Sequence, residues 1–250
     1  MTRNLVCLTE PGRTLVCMLP FAGGSASSYW PWSSLLPTDV QVSAVHLPGR
    51  QDRWHETPYQ DFGILVSDLA EEIAEAAAGG PYVLVGHSLG ATLAYEVARE
   101  LRRRSAPDPV LLVISAAVAP QIDHDPIGAE RLSDDELMEQ TRQTGRLPAQ
   151  ITENTELLEL VLPALRADLA LVDSYRYLPG EPLSCPISVF GGRQDPQVPV
   201  TALDPWRALT SNRTTVRVFD GDHFYLWGRE DEVAQAILGD LADLSTGAGL

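Results

Sequence analysis

Tyr82-Val83-Leu84-Val85-Gly86-His87-Ser88-Leu89-Gly90-Ala91 joins an apolar run of strand character to a stretch able to form a helix, and between them stands a serine with glycines two residues before and two after. A strand that turns sharply into a helix forces its middle residue into a strained conformation, and small residues at those two positions let neighbouring chain pass close by. The spacing therefore predicts that Ser88 Oγ projects from the top of a sheet. The backbone N–H of Leu89 is predicted beside it at a helix N-terminus, where unpaired donors and the positive dipole end favour an oxyanion. A bare G-x-S-x-G pattern recurs by chance; the strand before it and the helix after it supply the context that gives it meaning.

Working outward, Thr14 to Pro20 and Val110 to Ser115 are short apolar runs of the kind buried on both faces of a parallel sheet, and Val40 to His46, Ile187 to Phe190 and Thr215 to Phe219 read as further strands. Helical spacing fills the intervals. Asp61 to Ala78 carries Ile64, Leu65, Leu69 and Ile73 on the face expected inward, Ala91 to Arg104 carries Leu93, Ala94, Val97, Ala98 and Leu101, and a last helix spans about 230–244. Between about 119 and 185 the strand rhythm stops. Ser133 and Glu136 fit a capping box, and leucine-rich faces follow on either side of Pro163. The predicted fold is α/β, a mostly parallel central sheet flanked by helices, one domain over 1–250 with a helical insertion where a lid belongs.

A length of 250 residues suits one large domain, with 44% hydrophobic and 21% charged residues. No apolar run approaches the roughly 18 residues of a membrane span, and the N-terminal residues lack a signal-peptide pattern, so a cytoplasmic location is expected. Cys7, Cys17 and Cys185 are an odd, widely spaced set in or beside strands and read as buried small hydrophobes. The formal net charge of -16 argues against nucleic acid and anionic membrane as partners.

A serine hydroxyl needs a base within reach and a third group to fix the base's tautomer, in the chain order Ser, acid, His. His223 alone among the five histidines follows the last strand, in a Gly-Asp-His turn, and is the expected base. His46, His55, His87 and His124 suit satisfied or solvated roles. Asp195, in Gly191-Gly192-Arg193-Gln194-Asp195-Pro196 after the penultimate strand, is the expected acid; Asp123 and Asp125 are outside candidates, and Asp220 and Asp222 lie too near His223 in sequence. Ala22, in the small-residue stretch Phe21-Ala22-Gly23-Gly24-Ser25, is expected to join Leu89 as second oxyanion donor, each such N–H contributing roughly 3 kcal/mol. No metal-ligand spacing, phosphate-binding loop or dinucleotide fingerprint is present, so neither metal nor cofactor is expected. The triad alone does not choose between ester, thioester and amide.

With these pieces in order, the chain resembles a type II thioesterase of polyketide or nonribosomal peptide biosynthesis, a member of the α/β-hydrolase superfamily. The matching stretches are Leu19-Pro20-Phe21-Ala22-Gly23-Gly24-Ser25, Leu47-Pro48-Gly49-Arg50 with Arg53, the elbow, Leu162-Pro163-Ala164-Leu165-Arg166-Ala167-Asp168, Cys185-Pro186-Ile187 with Gly191 to Asp195, and Gly221-Asp222-His223-Phe224. The resemblance implies a discrete editing enzyme of antibiotic-type pathways. It would hydrolyse aberrant or stalled acyl groups from the phosphopantetheine arm of acyl or peptidyl carrier proteins. Such carriers are usually acidic, so docking would need a local basic patch, with Arg99, Arg102, Arg103 and Arg104, or Arg50 and Arg53, as candidates. An esterase for small esters or lipids is the nearest alternative, and a noncatalytic binding protein on the same scaffold a distant one.

Overall fold

The computed structural model describes residues 4–122 and 126–247. Within them lie the strands β1 (Leu5–Cys7), β2 (Thr14–Leu19), β3 (Val40–Val45), β4 (Tyr82–His87), β5 (Leu111–Ser115), β6 (Ile187–Gly192) and β7 (Thr214–Phe219). They form one sheet in the order β1-β3-β2-β4-β5-β6-β7. Only β1 pairs antiparallel, with β3; every other pairing is parallel. This is an α/β-hydrolase fold. The β4, β5 and β6 strands are buried along their whole length, because helices cover both faces and leave no room for alternation with polar residues. The edge strand β7 is half-buried and accordingly carries Thr214, Thr215 and Arg217.

The helices are α1 (Phe62–Ala77), α2 (Leu89–Arg103), α3 (Asp134–Thr144), α4 (Ala149–Thr152), α5 (Thr155–Ser174) and α6 (Glu230–Gly247). One face of the sheet packs against α1 and α2, and α5 joins the same apolar cluster against α1. The other packs against α6 and a 3-10 segment, Ala26–Ser34, whose Tyr29 and Trp32 are buried. Asp61 caps α1 by accepting the Ile64 N–H at 2.9 Å, and the helix buries Leu65, Leu69 and Ile73, each contributing roughly 1.5–3 kcal/mol over an exposed position. The helices and 3-10 segment between β5 and β6 are joined by irregular chain, and α3 opens with the full capping box of Ser133 and Glu136.

Four details depart from the sequence reading. Ile64 is 56% exposed, since it sits about 100° around the helix from Leu65 and off the stripe of Phe62, Leu65, Val66, Leu69, Ala70 and Ile73. Pro163 does not divide two helices but lies inside the single helix α5. A proline there costs about 3 kcal/mol, offset by the buried stripe of Leu158, Leu162, Leu165 and Leu169. Cys7 is exposed, being on the outermost strand, whereas Cys17 and Cys185 are buried. The three-residue strand β1 is too short to show any periodicity in the sequence.

Candidate active site

The chain leaves β2 for β3 on one side and returns to place β4 on the other, so the C-terminal ends of β2 and β4 flank a topological switch point, where α/β sheets bind ligands. Ser88 stands there. Its φ of 55° and ψ of -119° are strained values for a residue with a Cβ, and Leu89 opens α2 directly after it. The flanking glycines have a measurable purpose. A Cβ on Gly86 would lie 2.0 Å from the Gly90 carbonyl oxygen, and one on Gly90 would lie 2.0 Å from that of Leu19 at the end of β2. Gly86 therefore lets the helix start close over the strand, and Gly90 lets that helix press against the end of β2.

Asp195 follows β6 and His223 follows β7, the neighbouring strand. His223 Nδ1 donates to Asp195 Oδ2 at 2.8 Å, and both side chains are buried. The other carboxylate oxygen, Oδ1, accepts the backbone N–H groups of Gln197 (2.8 Å) and Val198 (3.1 Å), which fixes the acid's orientation. Gly192 lets the two loops meet, because a Cβ there would lie 2.1 Å from the Asp222 carbonyl oxygen. Asp220 and Asp222 are otherwise engaged: Asp220 pairs with Arg193, and Asp222 accepts the Phe224 N–H at 2.8 Å.

Ser88, Leu89, Ala22 and His223 line one cavity of about 500 Å³. Its further walls are mainly apolar, with Phe62, Val118, Ile127, Leu169 and Val172 among them. The helical segment contributes one cation, Arg146, whose Nε is buried with no hydrogen-bond partner among the described residues. Burial lowers its pKa, against the opposing charge of Asp173.

The remaining histidines are placed elsewhere. His87 is buried beneath the site, with Nδ1 2.8 Å from Ser115 Oγ, itself 2.6 Å from the Tyr225 hydroxyl. Burial, reinforced by the nearby His223 ring, holds the His87 pKa well below the usual imidazole value. His46 Nε2 meets Asp52 at 2.8 Å, and His55 is exposed beside Trp54. Asp123, His124 and Asp125 lie outside the described residues.

Two docking candidates are corrected by burial. Arg50 and Arg53 are both under 8% exposed and paired, Arg50 with Asp168 and Arg53 with Glu56, so neither offers a surface charge. On α2, Arg99 pairs with Glu96 and Arg103 and Arg104 share Glu100, while Arg102 donates to the Pro182 carbonyl, so this face keeps an excess of positive charge. The partnership of Arg50 with Asp168, 118 residues apart, was out of reach of sequence reading, although both stand in motifs that the resemblance drew upon.

A strained nucleophile-elbow serine at a switch point, with a carboxylate-bound histidine on the same cavity, defines a serine hydrolase of the α/β-hydrolase fold. Residues 14–241 match the thioesterase domain family, and the chain belongs to that family as a type II thioesterase. Gramicidin S biosynthesis protein GrsT of Aneurinibacillus migulanus is 35% identical over 217 residues, 87% of this chain and 84% of that one. Among solved structures, the type II thioesterase BorB from the borrelidin biosynthetic cluster superposes with a TM-score of 0.87 at 35% identity, covering 95% of this chain and 97% of its own. The RedJ thioesterase of the prodiginine pathway in Streptomyces coelicolor gives 0.85 at 36% identity, covering 93% and 89%.

Proposed function

We propose that the protein hydrolyses aberrant or stalled acyl groups from the phosphopantetheine arm of acyl or peptidyl carrier proteins, restoring blocked polyketide or nonribosomal peptide synthases. Ser88 Oγ attacks the thioester carbonyl while His223 Nε2 takes its proton. The hydrogen bond to Asp195 keeps the other ring nitrogen protonated and stabilises the imidazolium that forms. The Leu89 N–H, one of the first in α2 and so without an acceptor inside the helix, holds the oxyanion together with the Ala22 N–H. Collapse expels the pantetheine thiolate, to which the imidazolium passes its proton, leaving His223 neutral again. Water, activated by the same histidine, then attacks the acyl-enzyme and releases the free acid and Ser88.

Its chief support is that a strained serine and a carboxylate-oriented histidine line the same mostly apolar cavity, which suits an acyl chain. The pathway names of GrsT, BorB and RedJ favour carrier-bound thioesters over free esters. A thiolate also leaves readily, its conjugate acid having a pKa near 8.5, so little leaving-group protonation is needed. The helical segment between β5 and β6 acts as a lid whose walls set chain length. The same reading places the enzyme in the cytoplasm, which three free cysteines support.

Incubation with carrier proteins bearing acetyl, propionyl and longer acyl groups, with release followed by mass, tests the proposal directly. Acyl-pantetheine thioesters should turn over at least about tenfold faster than matched oxyesters, a difference of about 1.4 kcal/mol in barrier. Equal or faster oxyester turnover, with loaded carriers left intact, would assign the scaffold to a general esterase instead.

A further inference from the structure

The turn Phe21-Ala22-Gly23-Gly24 carries the proposed second oxyanion donor and closes with a Gly24 N–H to Phe21 carbonyl bond of 2.9 Å. Gly23 has a φ of +79°, the left-handed value that the third residue of a type II turn requires. Phe21 anchors the start of the turn among the rings of His87, Phe224 and Trp227. Its far end is held by two side chains. Asp168 Oδ2, from α5, accepts the Gly23 N–H at 2.7 Å, and Arg50 Nη1, from the loop after β3, donates to the Gly24 carbonyl at 2.8 Å. The two side chains are joined as a fork, Arg50 Nη1 to Asp168 Oδ2 at 2.8 Å and Arg50 Nη2 to Oδ1 at 2.7 Å, and are 5% and 2% exposed.

We infer that the buried Arg50–Asp168 pair consists of positioning residues for catalysis: it aims the Ala22 N–H, and because Asp168 belongs to α5, the oxyanion hole is complete only while that helix is docked on the turn. The inference rests on the acyl-enzyme reading above. Stability does not account for the pair, since replacing a buried ion pair by apolar groups of similar volume is often neutral or stabilising. Only a fork of fixed geometry can grip a turn at both an N–H and a carbonyl. Packing couples the same parts: a Cβ on Gly23 would meet Val161 and Leu165 of α5 at 3.1 and 3.3 Å. Lid docking and oxyanion-hole assembly thus share one contact.

The test uses the full chain carrying the double substitution Arg50→Met with Asp168→Leu, which removes both charges together and leaves neither stranded. Melting temperature, kcat and KM on an acyl-pantetheine thioester, and affinity for an acyl trifluoromethyl ketone, whose hydrate or serine adduct mimics the tetrahedral oxyanion, are measured against the unsubstituted protein. The expected result is a folded protein of near-unchanged melting temperature, KM within about threefold, and kcat and ketone affinity both reduced about 100-fold, the cost of losing one oxyanion donor. A folded double variant with kcat and ketone affinity within about threefold of the original would overturn the inference. Should the double variant not fold, Asp168→Asn, which keeps the side chain's size, carries the same comparison: kcat falls while KM holds if the pair positions the turn, and kcat holds if it does not. Ser88→Ala serves as the control. If that variant retains activity, the acyl-enzyme reading itself has failed, whatever the Asp168 variants do.

Discussion

The two arms of the proposed site, acid–base and oxyanion, are built by different means. The acid–base arm, Asp195 and His223, hangs from the ends of adjacent strands β6 and β7, and its contacts are made within the two loops that follow them. The oxyanion arm, the turn over Phe21 to Gly24, is held by Arg50 and Asp168 from distant parts of the chain, with sequence separations of 26 and 145 residues for the bonds to the turn. An arm built from its own loops survives wherever the strands pair. An arm held by remote side chains exists only when the whole tertiary structure, the helical segment included, is assembled.

Removing the centre that both arms serve should have the largest effect. Ser88→Ala is expected to lower kcat on acyl-pantetheine by roughly 10⁴ to 10⁶, read under single-turnover conditions. Residual activity above one-hundredth of the original would show that neither arm is organised around this hydroxyl. Within the acid–base arm, Asp195→Asn keeps the shape of the side chain but no longer enforces the tautomer, and a loss of about 10³ to 10⁴ in kcat with little change in KM is expected. A loss smaller than that caused by the Asp168 variants would reverse the ranking of the two arms.

The local character of the acid–base arm can be tested through its backbone. Gly192→Ala puts a methyl group against the Asp222 carbonyl, so it should destabilise the fold by about 1–3 kcal/mol and impair activity by prising the two loops apart. Unchanged stability, measured by urea denaturation, would mean that these loops are not tightly locked. The smallest effect concerns pH. His87 is held neutral in the folded protein while an unfolded histidine protonates below about pH 6.5, so the unfolded chain binds more protons there and stability falls as pH drops through that window. The slope contributed is at most about 1.4 kcal/mol per pH unit. His87→Gln should flatten the dependence of stability on pH between about 6.5 and 5; an unchanged slope would assign the acid sensitivity to other groups.

The same division separates what could be read in the sequence from what could not. Gly86, Ser88 and Gly90 fall at fixed spacing because the elbow is one local turn, and the apolar runs of β2, β4, β5 and β6 declare a doubly covered parallel sheet. Asp195 and His223 could be named from chain order, since each simply follows a strand. By contrast, the true inward face of α1 and the continuity of α5 through Pro163 depended on which neighbours each helix met. Arg50 looked like a surface charge until burial and Asp168 gave it another role.

The sequence by itself determined the strand-turn-helix at Ser88 and the class of fold, because each is written in residues a few positions apart or in a repeating pattern. Tertiary structure alone decided which charges were buried and matched, which helices line the cavity, and what holds the turn at Gly23 and Gly24. Those depend on side chains brought together across more than a hundred residues, and local propensity carries no record of such meetings.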